Sequence, residues 1–300
     1  MSATSTETPA FARGVPPEGR ESLERLFRHI GSVSSLPAVG QKILSLTENE
    51  AVPAQELRDI IQTDPVLLAR MLRRLNSSYY ALSHKVADVR TAVNLLGVRE
   101  IRNLAVTVFM SRMFEEEWSC GNYCRAGLWS HCVSVGVCAR LVSRVCGRGF
   151  PEEAYVGGLL HDIGLILLDQ TLRKHFMRVL QQVSPSVPTC AAEMQVLSFD
   201  HATLGGYVAQ SWNFPEQIVD AITYHHHPLD YTGPHKEIVY IVPVANYLCS
   251  RAGRTSLGVQ NLTAPPEEVY AGLGLDQVTL AVICTELEAT LNKAEALATP

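Results

Sequence analysis

Gly157-Gly158-Leu159-Leu160-His161-Asp162-Ile163-Gly164 sets an imidazole and a carboxylate side by side within an apolar run. Burying two such groups is costly unless each finds a partner. A metal ion, the polar atoms of a nucleotide, or a local hydrogen-bond network would each supply one. The question for the rest of the chain is what else converges on His161 and Asp162.

On the N-terminal side, Leu128, Cys132, Val135, Ala139 and Val142 form a stripe at helical spacing, with His131 at its flank. On the C-terminal side, a helix is expected over 176–183 and a loop over 184–188. Asp200 is placed to cap a helix bearing His201, Leu204, Val208 and Trp212. Pro215 opens another, with Ile218, Val219 and Ile222, that runs into His225-His226-His227. Pro228 disfavours the helical region for His227, so that helix ends there. A long helix is expected over 238–249, a loop over 251–263, and two helices over 267–272 and 276–298.

The first third reads the same way. Residues 1–20 are rich in Ser, Thr and Pro, suit a disordered tail and lack the apolar core of a signal peptide. Helical spacing starts near Glu21 with Leu23, Leu26, Phe27 and Ile30. Leu36-Pro37 and Pro53 suit helix starts, and Asp64-Pro65 is a stronger one, with a capping side chain before a first-turn proline. Asp88 caps the next helix and Gly97 closes it. Only short segments alternate with period two, and hairpin turn dipeptides are missing. The expectation is an all-α, bipartite fold: a helical module over 21–115, a helical core over 116–255 and acidic helices over 256–300.

The totals narrow the function. With 47% hydrophobic and 18% charged residues in 300, the chain has the makeup of a soluble globular protein. A net charge of −5 is unlike the basic footprint of a nucleic-acid binder. Six acidic residues against Lys293 from Asn261 onward carry that charge, leaving the remainder near neutral. Arg70, Arg73 and Arg74 are therefore read as a solvated helix face. No uncharged apolar run reaches the ~18 residues needed to span a bilayer. Eight cysteines show no disulfide framework, and Cys120 and Cys124 have no second pair at zinc-finger spacing. A reducing cytoplasm is the expected location, with no membrane and no nucleic acid among the partners.

A single His beside an apolar stripe is usually a hydrogen-bonded core residue. Here His131, His161-Asp162, His201 and His225-His226 are counted together, on helices that can meet only in a bundle core, where helical proteins build metal sites. Imidazole and carboxylate ligate Zn, Fe, Mn, Ni and similar ions. Neighbours on a helix point about 100° apart, so each adjacent pair would grip an ion from its flank or serve two ions.

The order His…His-Asp…His…His-His, with His161-Asp162-Ile163-Gly164 at its centre, resembles the HD-type metal-dependent phosphohydrolases, and its spacing resembles their HD-GYP cyclic-di-GMP phosphodiesterase branch. Leu36-Pro37-Ala38-Val39, Ile61-Gln62-Thr63-Asp64-Pro65-Val66-Leu67, Leu75-Asn76-Ser77-Ser78-Tyr79-Tyr80 and Ala92-Val93-Asn94-Leu95-Leu96-Gly97 resemble the HDOD domain, a bacterial signalling module. That resemblance continues through Leu128-Trp129-Ser130-His131, Trp212-Asn213-Phe214-Pro215 and Tyr224-His225-His226. It implies an all-α fold and a role in signal transduction, generally without demonstrated hydrolysis.

The resemblance also implies departures. The catalytic relatives carry Lys after the HD-Ile-Gly run; this chain has Leu165. Their last ligand is Asp, and the matching position here is Asn246, which offers a neutral carbonyl oxygen and no charge. Their Gly-Tyr-Pro signature is missing, and Gly206-Tyr207-Val208 is a helical coincidence. The expected ligand set is His131, His161, Asp162, His201, His225, His226 and Asn246, holding one or two divalent ions of Fe, Mn, Zn or Ni. Three functions follow. One is a regulatory module with a degenerate pocket, little hydrolysis and signalling proteins as partners. The second is a phosphohydrolase of a nucleotide or cyclic dinucleotide. The third is a metal or nucleotide sensor without turnover.

Overall fold

The computed structural model describes residues 21, 24–30, 38–45, 53–148, 150–260 and 263–298. The tail expected over 1–20 and the helix start expected at Leu36-Pro37 lie outside them. The fold is all-α and bipartite, a small N-terminal helical module packed on an HD-type helical core.

The module holds α1 (residues 24–30), α2 (Ala38–Ser45), α3 (Ala54–Gln62), α4 (Pro65–Leu75), α5 (Val89–Leu96) and α6 (Val98–Ser111). Its start signals are local and form as expected. The Asp64 side chain accepts from the Val66 and Leu67 amides at the head of α4, and Asp88 accepts from Thr91 at the head of α5. Gly97, at φ 85°, turns the chain from α5 into α6.

The core begins with a hairpin that the sequence reading did not anticipate. β1 (Ser119–Cys120) pairs with β2 (Tyr123–Cys124) across Gly121-Asn122, and Gly121 takes φ 60°. Two residues per strand are too few to show a period of two, but Gly121-Asn122 is a turn dipeptide, which corrects the reading that such dipeptides are missing. Next come α7 (Arg125–Cys146), α8 (Pro151–Leu160), α9 (Ile163–Thr171), α10 (Arg173–Gln182), α11 (Thr189–Leu197), α12 (His201–Ser211), α13 (Glu216–Tyr224) and α14 (Lys236–Arg251). α15 (Glu267–Leu273) and α16 (Gln277–Ala298) follow.

α7 is the axis, packed against α8, α14 and α16. Its stripe Leu128, Cys132, Val135, Ala139 and Val142 is wholly buried. Glycines let its neighbours come close. A Cβ at Gly158 would stand 2.8 Å from the Val135 carbonyl oxygen, and one at Gly136 would stand 2.9 Å from that of Tyr155. A Cβ at Gly164, in the first turn of α9, would collide with the His201 carbonyl on α12. Both close approaches draw the helices carrying His131 and His201 against those that flank His161-Asp162.

One apolar cluster runs from Phe27 in α1 to Leu297 in α16, crossing both parts. Phe27 meets Phe199 edge-on at 4.9 Å and Tyr207 at 5.2 Å. Buried polar contacts also join α6 to α8. The Thr107 and Tyr155 hydroxyls lie 2.7 Å apart, and Asn103 Nδ2 donates to Glu152 Oε2 at 2.8 Å. A second cluster joins α7, α8 and α14 to α15 and α16 through Val135, Ile241, Ile283 and Leu287.

Arg74 corrects the reading of the three arginines as a solvated face. It is 5% exposed, and its Nε donates to the Leu297 carbonyl at 3.1 Å. Arg70 pairs with Glu115. Among the described residues, no helix is long and apolar enough to cross a membrane.

Two outcomes test this packing. Gly164→Ala forces the α9–α12 backbones apart and should cost roughly 1–3 kcal/mol, as overpacking does; an unchanged urea midpoint would refute the close approach. Asp64 supplies a pH-dependent contribution. Burial raises its carboxyl, but the Leu67 and Val66 amides and Arg112 outweigh that and hold it below its ordinary value. Its stabilisation is therefore present above the unfolded pKa of ~3.9 and lost as pH falls through the lower folded value. Asp64→Ala should cost about 1 kcal/mol in urea melts at pH 7, and the gap from wild type should close in acid.

Candidate metal centre

Five elements deliver the polar residues. His131 lies in the second turn of α7. His161 follows the end of α8 and Asp162 precedes α9, so the pair occupies a break between helices, with Asp162 at φ −97°, ψ 17°. His201 opens α12, where Asp200 Oδ1 accepts from the Thr203 amide at 2.8 Å, as a cap should. His225 and His226 follow the end of α13. This corrects the expectation that both adjacent pairs sit on helices with side chains about 100° apart. The chain turns at each pair, and His161 Nε2 and Asp162 Oδ2 face one centre 3.3 Å apart.

The hydrogen bonds fix which ring nitrogen carries a proton. His131 Nδ1 donates to the Arg254 carbonyl, His161 Nδ1 to that of Gly158, and His225 Nδ1 to that of Ile222, each at 2.7 Å. A carbonyl only accepts, so each Nδ1 is N–H and each Nε2 is the atom turned inward, free to offer its lone pair to a cation. His201 Nδ1 donates to Glu193 Oε2 at 2.7 Å, and that oxygen also accepts the His201 amide at 3.0 Å. His201 is thereby fixed in the same sense.

These lone pairs converge. The Nε2 atoms of His131 and His161 are 3.3 Å apart, as are those of His201 and His225, and His226 Nε2 is 3.1 Å from His201 Nε2. Asp162 sits between the two sets. Its Oδ2 is 3.4 Å from His131 Nε2 and its Oδ1 is 3.1 Å from His201 Nε2. Lone pairs facing lone pairs and a carboxylate repel unless a cation lies among them. Ligands about 3.3 Å apart span the edge of a tetrahedron with metal–nitrogen bonds of ~2.0 Å. The donors fall into two groups that share Asp162: His131 and His161 on one side, and His201, His225 and His226 on the other. The residues fit one or two divalent ions.

Where no ion is bound, protons on the Nε2 atoms can meet the same carboxylate. Burial would raise the Asp162 carboxyl, but the charge of His161 and hydrogen bonds from His131, His161 and His201 hold it well below the usual carboxylate range. Burial pushes His225 well below the usual imidazole range, with the neighbouring histidines adding to it, so its lone pair stays free. Burial would lower His201 too, but Glu193 and Asp162 override it and push the ring well above its ordinary value, so without an ion its Nε2 holds a proton that a bound cation would displace.

A cavity of about 670 Å³ reaches the cluster from the His225 and His226 side. Asn246 lines it along with Asp200 and Cys190. Asn246 thus stands at the cavity wall, where its Oδ1 accepts from Ser250 at 3.4 Å. Leu165 is fully enclosed in the apolar core.

Sequence reasoning missed three participants. Glu193 orients His201 from α11, a helix that was not foreseen. Its signal was an acid inside the otherwise apolar stretch around Ala191, Ala192, Met194 and Val196, the same kind of anomaly as the His161-Asp162 pair. Cys190 was passed over as well. The Arg254 carbonyl is a backbone atom and leaves no mark in the sequence.

The family model of the HDOD domain matches residues 33–228, well over half of the chain. The chain belongs to the HDOD domain family. The matched region holds every candidate ligand except Asn246, which lies beyond it in α14. An uncharacterized protein of Treponema pallidum (strain Nichols) is 24% identical over 219 residues, 72% of this chain and 42% of that protein. The chain therefore spans about two fifths of that relative's length. An HDOD domain protein of unknown function from Geobacter sulfurreducens aligns at a TM-score of 0.77 and 25% identity, covering 92% of this chain and 98% of that one. A phosphohydrolase candidate from Shewanella amazonensis SB2B aligns at 0.72 and 21% identity, covering 91% and 96%, a likeness of fold alone.

If the converging lone pairs of this HDOD chain take up an ion, binding stabilises the fold by mass action, ~2.7 kcal/mol at a hundredfold excess over Kd. Adding a divalent transition metal to chelator-stripped protein should raise Tm by several degrees, and His161→Ala should reduce the rise. An equal rise in both proteins would place the ion elsewhere.

Proposed function

We propose that this HDOD protein is a metal-binding regulatory module whose pocket carries out little or no phosphoester hydrolysis. The observation that carries the reading is the charge of the cavity wall. Among the described residues lining it there is no Lys or Arg, and its one carboxylate is Asp200. Transition states of phosphoryl transfer are stabilised by preorganised positive charge and donors. The resemblance would put such a lysine at Leu165, which is buried in the core, and an anionic ligand at Asn246, which is an amide.

His131, His161, Asp162, His201, His225 and His226 are the proposed holders of one or two divalent ions, with Asn246 as an optional carbonyl donor. A bound ion would supply a Lewis acid at the cavity floor. The protein's own part is to fix each ring through its Nδ1 contact and to exclude water on the core side. Such an ion ties α7, the α8–α9 turn, α12 and the end of α13 together. Occupancy would then alter the relative stability of these elements, and a signalling protein docked on the bundle would read that change.

A second reading, hydrolysis of a nucleotide or cyclic dinucleotide, draws on the cavity itself. Its volume of about 670 Å³ falls in the range of small-molecule sites, and it opens onto His225 and His226. Binding of such a ligand without turnover would make the protein a sensor.

Elemental analysis of full-length protein purified without a metal-affinity tag or chelator, with hydrolysis assays on the same sample, separates these readings. We expect bound transition metal in the wild type, less of it in His161→Ala, and turnover below about 0.01 s⁻¹ against the ~10 s⁻¹ of a typical enzyme. Metal-dependent turnover near that typical rate, lost in His161→Ala, would overturn the regulatory reading in favour of the hydrolase.

A further inference from the structure

Glu193 is fully buried, and only one of its two oxygens is used. Oε2 accepts both the amide and the Nδ1 hydrogen of His201, whereas Oε1 has no hydrogen-bond partner. An unsatisfied buried carboxyl oxygen is expensive, roughly 1–3 kcal/mol. It calls for a partner not supplied by the hydrogen bonds around it.

The nearest chemistry is a thiol. Cys190 lies one turn earlier on α11, and its sulfur, the Glu193 carboxylate and a ring nitrogen of His201 are all within 4.8 Å of one another. Cys190 lines the 670 Å³ cavity, so this cluster, unlike Glu193 alone, has a path to solvent. Asp200 lines the same wall, and no Lys or Arg among the described lining residues opposes a cation there.

We propose that Cys190 Sγ and Glu193 Oε1 form a second cation subsite for a thiophilic divalent ion such as Zn²⁺, on the cavity side of His201. The donor set sorts the candidates. A thiolate beside a carboxylate suits zinc-like ions and not Mg²⁺ or Ca²⁺, which prefer oxygen throughout. Binding breaks the Cys190 S–H bond, forms a sulfur–metal bond and releases the proton to water, with no change in oxidation state. Two protein donors leave coordination positions open to the cavity, so the ion is exchangeable and water or a cavity ligand completes it. His201 then stands between two cation positions, with Nε2 facing Asp162 and Nδ1 held by the carboxylate that binds the second ion. The subsite does not depend on an ion being bound at Asp162.

Cobalt(II) titration of reduced, chelator-stripped full-length protein tests the proposal. A thiolate-to-cobalt charge-transfer band should appear in the near ultraviolet, persist in His161→Ala and vanish in Cys190→Ser. The visible absorption of cobalt bound by nitrogen and oxygen should survive in Cys190→Ser. In parallel, Zn²⁺ but not Mg²⁺ should slow alkylation of Cys190 by about tenfold or more, read by peptide mass spectrometry, because a metal-bound thiolate is no longer free to react. No charge-transfer band at cobalt excess, or one undiminished in Cys190→Ser, overturns the subsite. Glu193 would then only position His201. Loss of the visible absorption in His161→Ala alone reports on the Asp162 cluster, so the two sites succeed or fail separately.

Discussion

Four imidazoles have their Nδ1 hydrogens bound to oxygen acceptors, and this makes their Nε2 lone pairs face one carboxylate. A buried cluster of that kind is repulsive without positive charge. The fold nevertheless holds the rings close, at nitrogen separations suited to a small cation. Much of the architecture serves that arrangement. Gly136 and Gly158 allow α7 and α8 to touch, and Gly164 allows α9 to meet α12. Arg125, at the head of α7, grips Asp169 on α9 through Nε at 2.5 Å and Nη2 at 3.1 Å, and Tyr123 donates to the same carboxylate at 3.0 Å. That buried tie fixes the helix carrying His131 against the one that follows Asp162.

Much of this was legible because it was local. Asp64, Asp88 and Asp200 cap the helices they precede, and each was readable from the side chain and the two or three residues after it. The histidines were readable by type and order, because polar groups in apolar stretches are conspicuous. What failed was either too short or dependent on distant parts of the chain. The β1–β2 hairpin is too brief for periodicity. α11 follows Pro188 with no side-chain cap, so its start carries no local signal. The burial of Arg74 depends on a carbonyl 223 positions away, and its neighbours Arg70 and Arg73 gave no hint of it. The helix breaks at His161-Asp162 and His225-His226 were also hidden, although they decide where the side chains point.

The two departures from the catalytic pattern have different physical meanings. Leu165, where the resemblance would put a lysine, is packed in the core. Asn246 still stands at the cavity wall and keeps a carbonyl oxygen in place. With no Lys or Arg among the described residues of that wall, a bound ion would be the main positive charge that an anionic guest would meet. Recognition of such a guest would then depend on which ion is present.

The Nδ1 contact of His131 also orders events in time. Its acceptor is the carbonyl of Arg254, 123 residues downstream, in a loop whose arginine pairs with Glu295 on α16. α16 in turn receives the Arg74 hydrogen bond from α4. Contacts of such sequence separation close late in folding, because the entropy of the long loop must be met first. A nascent chain still lacking these segments holds His131 free to take either tautomer. The converging cluster is therefore a product of completed folding, and any choice among ions would fall to the finished protein and not to the emerging polypeptide.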